Sequence, residues 1–152
     1  MTNDERMTKP EGRNASAAED AFWGVNEVSS VVREESPVAQ VFDLEERTAK
    51  FGEAVIDFAK IIPLGPLTNR LVDQIVGCGT SVGANYCEAD DAVSKKEFLV
   101  KINTCRKEAR ETKFFLRMIV RALPNLKPPA RLLWQEAKEL HLIFSKIRRT
   151  GK

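Results

Sequence analysis

The sequence predicts an all-α protein: an antiparallel up-down-up-down four-helix bundle with a disordered N-terminal leader. Three observations predict it. From Leu44 onward, apolar residues recur at alternating steps of four and three, the spacing of one helix face. Short Pro-, Gly- or Asp-containing turns interrupt that pattern, and short turns between helices return the chain antiparallel. A polar set, Gln74, Ser81, Asn85 and Glu88, recurs at steps of seven, four and three. At about 100° per residue these four side chains share one narrow stripe of a single helix.

Residues 1–38 read as the leader. They are rich in Ser, Asn, Glu and Gly with scattered apolar residues, a composition too poor in apolar area to offset chain entropy. Phe22, Trp23 and Val25 are the exception within it. Residues 39–152 read as the bundle domain. The first helix is expected over 40–62, where Leu44, Thr48, Phe51, Val55, Phe58 and Ile62 make a heptad-like seam. Asp43, Glu45 and Glu46 suit its positive N-terminal end, and Pro63, Gly65 and Pro66 terminate it.

The second helix is expected over about 67–90, with Leu71, Ile75, Cys78, Val82 and Ala89 as its apolar stripe. Gly77, Gly79 and Gly83 each cost up to about 1 kcal/mol against Ala in a helix interior. Their clustering with Ser81 and Ala84 predicts a closely approaching neighbour. Ser94 and Glu97 form a capping box for the third helix. Its seam is Phe98, Ile102, Cys105, Ala109, Thr112, Leu116 and Ile119, ending near Leu123. Pro128 and Pro129 open the fourth helix, where proline is tolerated, and Leu133, Ala137, Leu140, Phe144 and Ile147 give its buried stripe.

Charge divides along the chain. Residues 1–39 hold four Lys/Arg and eight Asp/Glu, a net of −4; the other 20 Lys/Arg and 14 Asp/Glu give the remainder +6. A basic row, Arg106, Arg110, Lys113, Arg117 and Arg121, lies on one flank of the third helix. Arginine forks match phosphate geometry, so the row is a candidate contact for RNA, DNA or another partner. Lys146, Arg148 and Arg149 add charge at the C-terminal end. The alternative is a solvated face or a set of salt bridges.

Glu108 and Glu111 flank the third seam on the side facing the polar stripe of the second helix. With Gln74, Ser81, Asn85 and Glu88 they are expected to form a structural polar network, because polar groups at a core edge need partners. A carboxylate-metal bundle enzyme, joining Glu88, Glu108, Glu111 and Glu136, is a distant alternative. A di-iron site needs Glu-x-x-His pairs, and the single histidine, His141, has Lys138 three residues before it. No catalytic residue, metal site or cofactor is therefore expected. There is no nucleophilic triad order, no GxxxxGK[ST] loop, and Gly77-x-Gly79 follows helical rather than strand sequence. Cys78, Cys87 and Cys105 include no CxxC pair and suit a reducing cytoplasm. No secretory signal or membrane span is expected.

The segments QIVGCGTSVGANYCEA (74–89), SKKEFLVKI (94–102) and RKEARETKFFL (106–116) resemble the four-helix-bundle proteins encoded in 23S rRNA intervening sequences. The resemblance spans roughly 41–122, and Ser81, Asn85, Glu88, Glu108 and Glu111 fall on the family's hallmark positions. It implies a small bundle assembling into a ring-like homopentamer, with no enzyme activity. A related branch, the accessory variability protein of diversity-generating retroelements, engages a reverse transcriptase and nucleic acid. Two departures stand out: Val76 and Gly77 occupy the place of a basic pair, and Phe115 that of a Trp. The expected function is a cytoplasmic, homo-oligomeric, non-enzymatic interaction module. A basic RNA- or DNA-binding accessory protein is the alternative.

Overall fold

The structure, a computed structural model, describes residues 13–25 and 44–151. The chain divides into two compact units, Met1–Glu34 and Glu35–Lys152. In the first, Arg13–Trp23 forms a helix, α1. Over this stretch the structure differs from the expected disordered leader; the rest of that leader lies outside the described residues. Ala17, Ala18 and Ala21 supply helix propensity that the overall polar composition hides. Gly24 ends α1 at φ +70°, a left-handed turn that favours glycine, and Val25 N–H donates to the Asp20 carbonyl at 3.0 Å. The Phe22 and Trp23 rings meet edge to face at 5.1 Å.

The second unit contains four long helices: α2 (Leu44–Lys60), α3 (Thr68–Asp90), α4 (Lys95–Ala122) and α5 (Lys127–Thr150). A 3₁₀ turn, Pro124–Leu126, leads into α5. Among the described residues the protein is all-helical, a four-helix bundle in which consecutive helices pack and α2 also meets α5. Contacts run antiparallel. Val55, Gly52 and Thr48 of α2 face Gly79, Thr80 and Gly83 of α3. Glu88 near the end of α3 meets Lys101 near the start of α4. Lys113 and Trp134 meet midway along α4 and α5.

Most of the seam residues read from the sequence are the core, with Leu71, Phe98 and Ile147 only half-buried. Every residue of the Leu44–Ile62 series is buried, as are Ile102, Cys105, Ala109, Leu116 and Ile119 of α4 and Ala137, Leu140 and Phe144 of α5. The seam threonines satisfy their hydroxyls locally: Thr48 donates to the Leu44 carbonyl at 2.7 Å and Thr112 to that of Glu108 at 2.8 Å. Ser94 Oγ accepts the Glu97 N–H at 3.1 Å, and the Glu97 carboxylate accepts the Val93 N–H at 3.1 Å. The expected close approach is real at two of the three glycines. A Cβ on Gly79 would stand 2.7 Å from Val55, and one on Gly83 3.2 Å from Thr48. At Gly77 it would meet nothing within 4 Å.

Candidate functional site

The bundle carries two polar surfaces, one on each flank of α4. The first lies along α3 and α4. Ser81 Oγ donates to the Gly77 carbonyl at 2.6 Å, and Asn85 Nδ2 to the Ser81 carbonyl at 2.8 Å, both within α3. Glu88 reaches across to form an ion pair with Lys101 of α4. Gln74 is half-buried. Glu108 is half-buried and Glu111 exposed, and neither carboxylate forms a hydrogen bond or ion pair among the described residues. The six residues therefore share a surface, but no side-chain hydrogen bond joins any two of them. Short polar side chains on a helix close back onto the carbonyl four residues earlier, which competes with bonding across to a neighbour.

Electrostatics fixes the position of the glutamates. Burial pushes the Glu108 carboxyl above its ordinary value, and Glu111 one turn away pushes it further. The buried Cys78 thiol of α3 is pushed up to about 11, chiefly by burial; a hydrogen bond from Thr112 opposes the shift, and Glu111 and Glu108 add to it. Neither carboxylate forms an ion pair among the described residues, although Lys107 lies one turn before Glu111 on the same helix. Phe114, the next turn of α4, is 55% exposed. Burial likewise pushes the Cys105 thiol up to about 12, so both core cysteines behave as apolar residues.

The second surface lies on the α5 side of α4. The expected cationic row is not uniform. Arg110, Arg117 and Arg121 are exposed, and Arg106 is half-buried with its Nε donating to Asn103 Oδ1 at 3.2 Å. Lys113 corrects the expectation of a partner contact: it is only 9% exposed and its Nζ stands 5.8 Å from the centre of the Trp134 ring. Its aliphatic stem and ammonium are used on an indole face inside the bundle.

Glu136 does not converge with Glu88, Glu108 and Glu111. It accepts from Arg47 of α2 through a two-point contact, Nε to Oε1 at 2.7 Å and Nη2 to Oε2 at 3.0 Å, and Glu139 completes the cluster at 2.5 Å. The hydrogen bond that Arg47 donates to Glu136 is the largest influence on the guanidinium and raises its pKa, against a smaller cost of burial. Arg47 was not legible as a site residue, although an up-down bundle places its first and last helices side by side. Among the described residues no group of three or more His, Cys, Asp or Glu could hold a metal ion. No described helix is long and apolar enough to cross a membrane.

Searches against protein-family models and curated proteins find no match. Among solved structures, the chain is similar to a protein of unknown function from the S23 ribosomal protein family of Bacteroides thetaiotaomicron. The TM-score is 0.61 at 25% identity, covering 70% of this chain and 98% of that one. The likeness carries the helical-bundle fold and no reaction.

Proposed function

We propose that the protein is a non-enzymatic interaction module that assembles with copies of itself, and that it belongs with the bundle proteins encoded in 23S rRNA intervening sequences. The likeness to the S23-family bundle and the segments 74–89 and 106–116 support the family reading. Three cysteines with no disulfide, two of them buried, fit a cytoplasmic setting.

The observation that carries self-association is the acid pair on the outer α3–α4 surface, which forms no ion pair among the described residues. A half-buried carboxylate with a like charge one turn away is unfavourable in an isolated chain. One turn beyond Glu111 stands the exposed Phe114, and on α3 a Cβ at Gly77 would meet no described atom within 4 Å. A second copy covers the apolar ring and brings cations from a bundle whose residues 40–152 carry +6. A two-fold contact centred on the pair would set Glu108 and Glu111 against themselves. A head-to-tail contact avoids this, and repeated contacts of that kind close into rings, as the expected pentamer requires.

Light scattering at micromolar concentration tests the reading. The expected result is an oligomer that dissociates in the Glu108→Lys, Glu111→Lys double variant while helix content is kept. A strictly monomeric wild-type protein would contradict it.

A further inference from the structure

Where α4 begins and α5 ends, two adjoining cavities of about 600 and 460 Å³ share Arg148 as a common wall. The two have different chemistry. The first is lined by Leu99, the exposed Val100, Asn103, Lys95 and Lys96 together with Arg148. The second is lined by Arg106, Ser145 and Arg149 together with Arg148. Among the described residues, no Asp or Glu lines either cavity. The helix ends are in close contact, since a Cβ on Gly151 would stand 3.2 Å from the Lys95 ammonium.

Four cations elsewhere in the bundle are held by carboxylates. Arg47 is held by Glu136 and Glu139, Lys101 by Glu88, Lys50 by Glu46 and Lys60 by Asp57. Among the described residues, Lys95, Lys96, Arg106, Arg148 and Arg149 form no ion pair. Arg106 is held below its ordinary value by burial, and further by Arg148 and Arg110. Like charges crowded at a partly desolvated site repel, and a bound anion converts that repulsion into charge-assisted hydrogen bonds. Guanidinium forks fit phosphate oxygens in particular. Asn103 gives its oxygen to Arg106 and keeps its amide N–H groups to donate.

We propose that this end of the bundle binds a small phosphorylated ligand of the nucleoside diphosphate class. The phosphates sit among Arg106, Arg148 and Arg149, and the base lies on Leu99 and Val100 within reach of Asn103. The cluster is local rather than a track. Farther along α4 the exposed Arg110 adds one more cation beside Arg106, and Lys113 beyond it is buried on Trp134. A nucleic-acid strand would need the charge to continue along the groove, whereas a small ligand needs only the paired cavities.

Calorimetric titration of the full chain with ADP, adenosine, inorganic pyrophosphate and a single-stranded oligoribonucleotide tests this. ADP is expected to bind, with adenosine and pyrophosphate each roughly tenfold or more weaker, since each fills one cavity. Arg148→Gln and Arg106→Gln are each expected to weaken ADP by roughly tenfold or more, with the exposed Arg70→Gln unchanged as control. Arg148 is exposed, so its loss leaves the fold intact by circular dichroism. Absence of ADP binding at about 1 mM would overturn the proposal. So would unchanged affinity in Arg148→Gln, or pyrophosphate binding as tightly as ADP. Oligoribonucleotide binding that ADP does not displace would overturn it in favour of a strand. The cleft belongs to one chain, so this result is read separately from the assembly state.

Discussion

Two sides of α3 bear glycine, and they behave in opposite ways. Toward α2 the helix is so close that a methyl group on Gly79 would overlap Val55, at 2.7 and 2.8 Å from its two methyls. Away from the bundle, Gly77 has no neighbour within 4 Å at the same position. The first glycine is explained inside the chain, because its missing side chain lets two helices touch. The second gives up helix propensity with no packing gain among the described residues. Packing thus accounts for one face of the helix, and the other is the face that the proposed association uses.

The comparison can be broken most sharply at the glycines. Gly79→Ala is expected to destabilise the bundle by about 2 kcal/mol, the range of overpacking a tight core site. The same change at Gly77 is expected to stabilise the dissociated chain by about 0.5–1 kcal/mol through helix propensity alone. Denaturant unfolding reads both, and equal effects at the two sites would erase the distinction.

Next in size is Arg47→Ala, which removes the tie between α2 and α5 and leaves Glu136 and Glu139 facing each other without a cation. A loss of about 1–2 kcal/mol is expected, since the two-point contact is only partly exposed. A wild-type unfolding midpoint in this variant would show that the cluster contributes nothing measurable.

The smallest effect belongs to Glu108. Its folded-state pKa lies above the ordinary carboxyl value. Its contribution to stability is therefore most favourable at pH below that ordinary value and is lost as pH rises through the folded pKa. Glu108→Gln should stabilise the dissociated chain by about 0.3 kcal/mol at neutral pH, the size of a like-charge pair on a helix surface. The gain should vanish in acid. A gain that persists there would assign the effect to something other than charge.

The fold was largely legible because a buried seam is a periodic constraint. Leu44, Phe51, Val55 and Phe58 must all face one way, and the spacing records it. Gly79 and Gly83 were legible for a similar reason, since a glycine inside a helix is costly unless bulk is excluded. The candidate surfaces were less legible. Spacing places Ser81 and Asn85 on one stripe but does not say whether they bond across to a neighbour or back along their own helix. Lys113 shares the spacing of Arg106 and Arg110, yet its long apolar stem lets it lie on Trp134. The pairing of Arg47 with Glu136 depends on how α2 and α5 are rotated about their axes, which periodicity alone leaves open. The meeting of Lys95 and Arg106 with Arg148 follows from the antiparallel return of α5 and appears only when both helix ends are placed together.

The most direct test of the outer surface is the solution mass of Gly77→Leu beside wild type, by light scattering with circular dichroism as the check on folding. If a second copy packs closely on α3 at Gly77, wild type runs as an oligomer, and the leucine variant runs as a monomer with unchanged helix content. A leucine variant that keeps the full wild-type mass would contradict that contact.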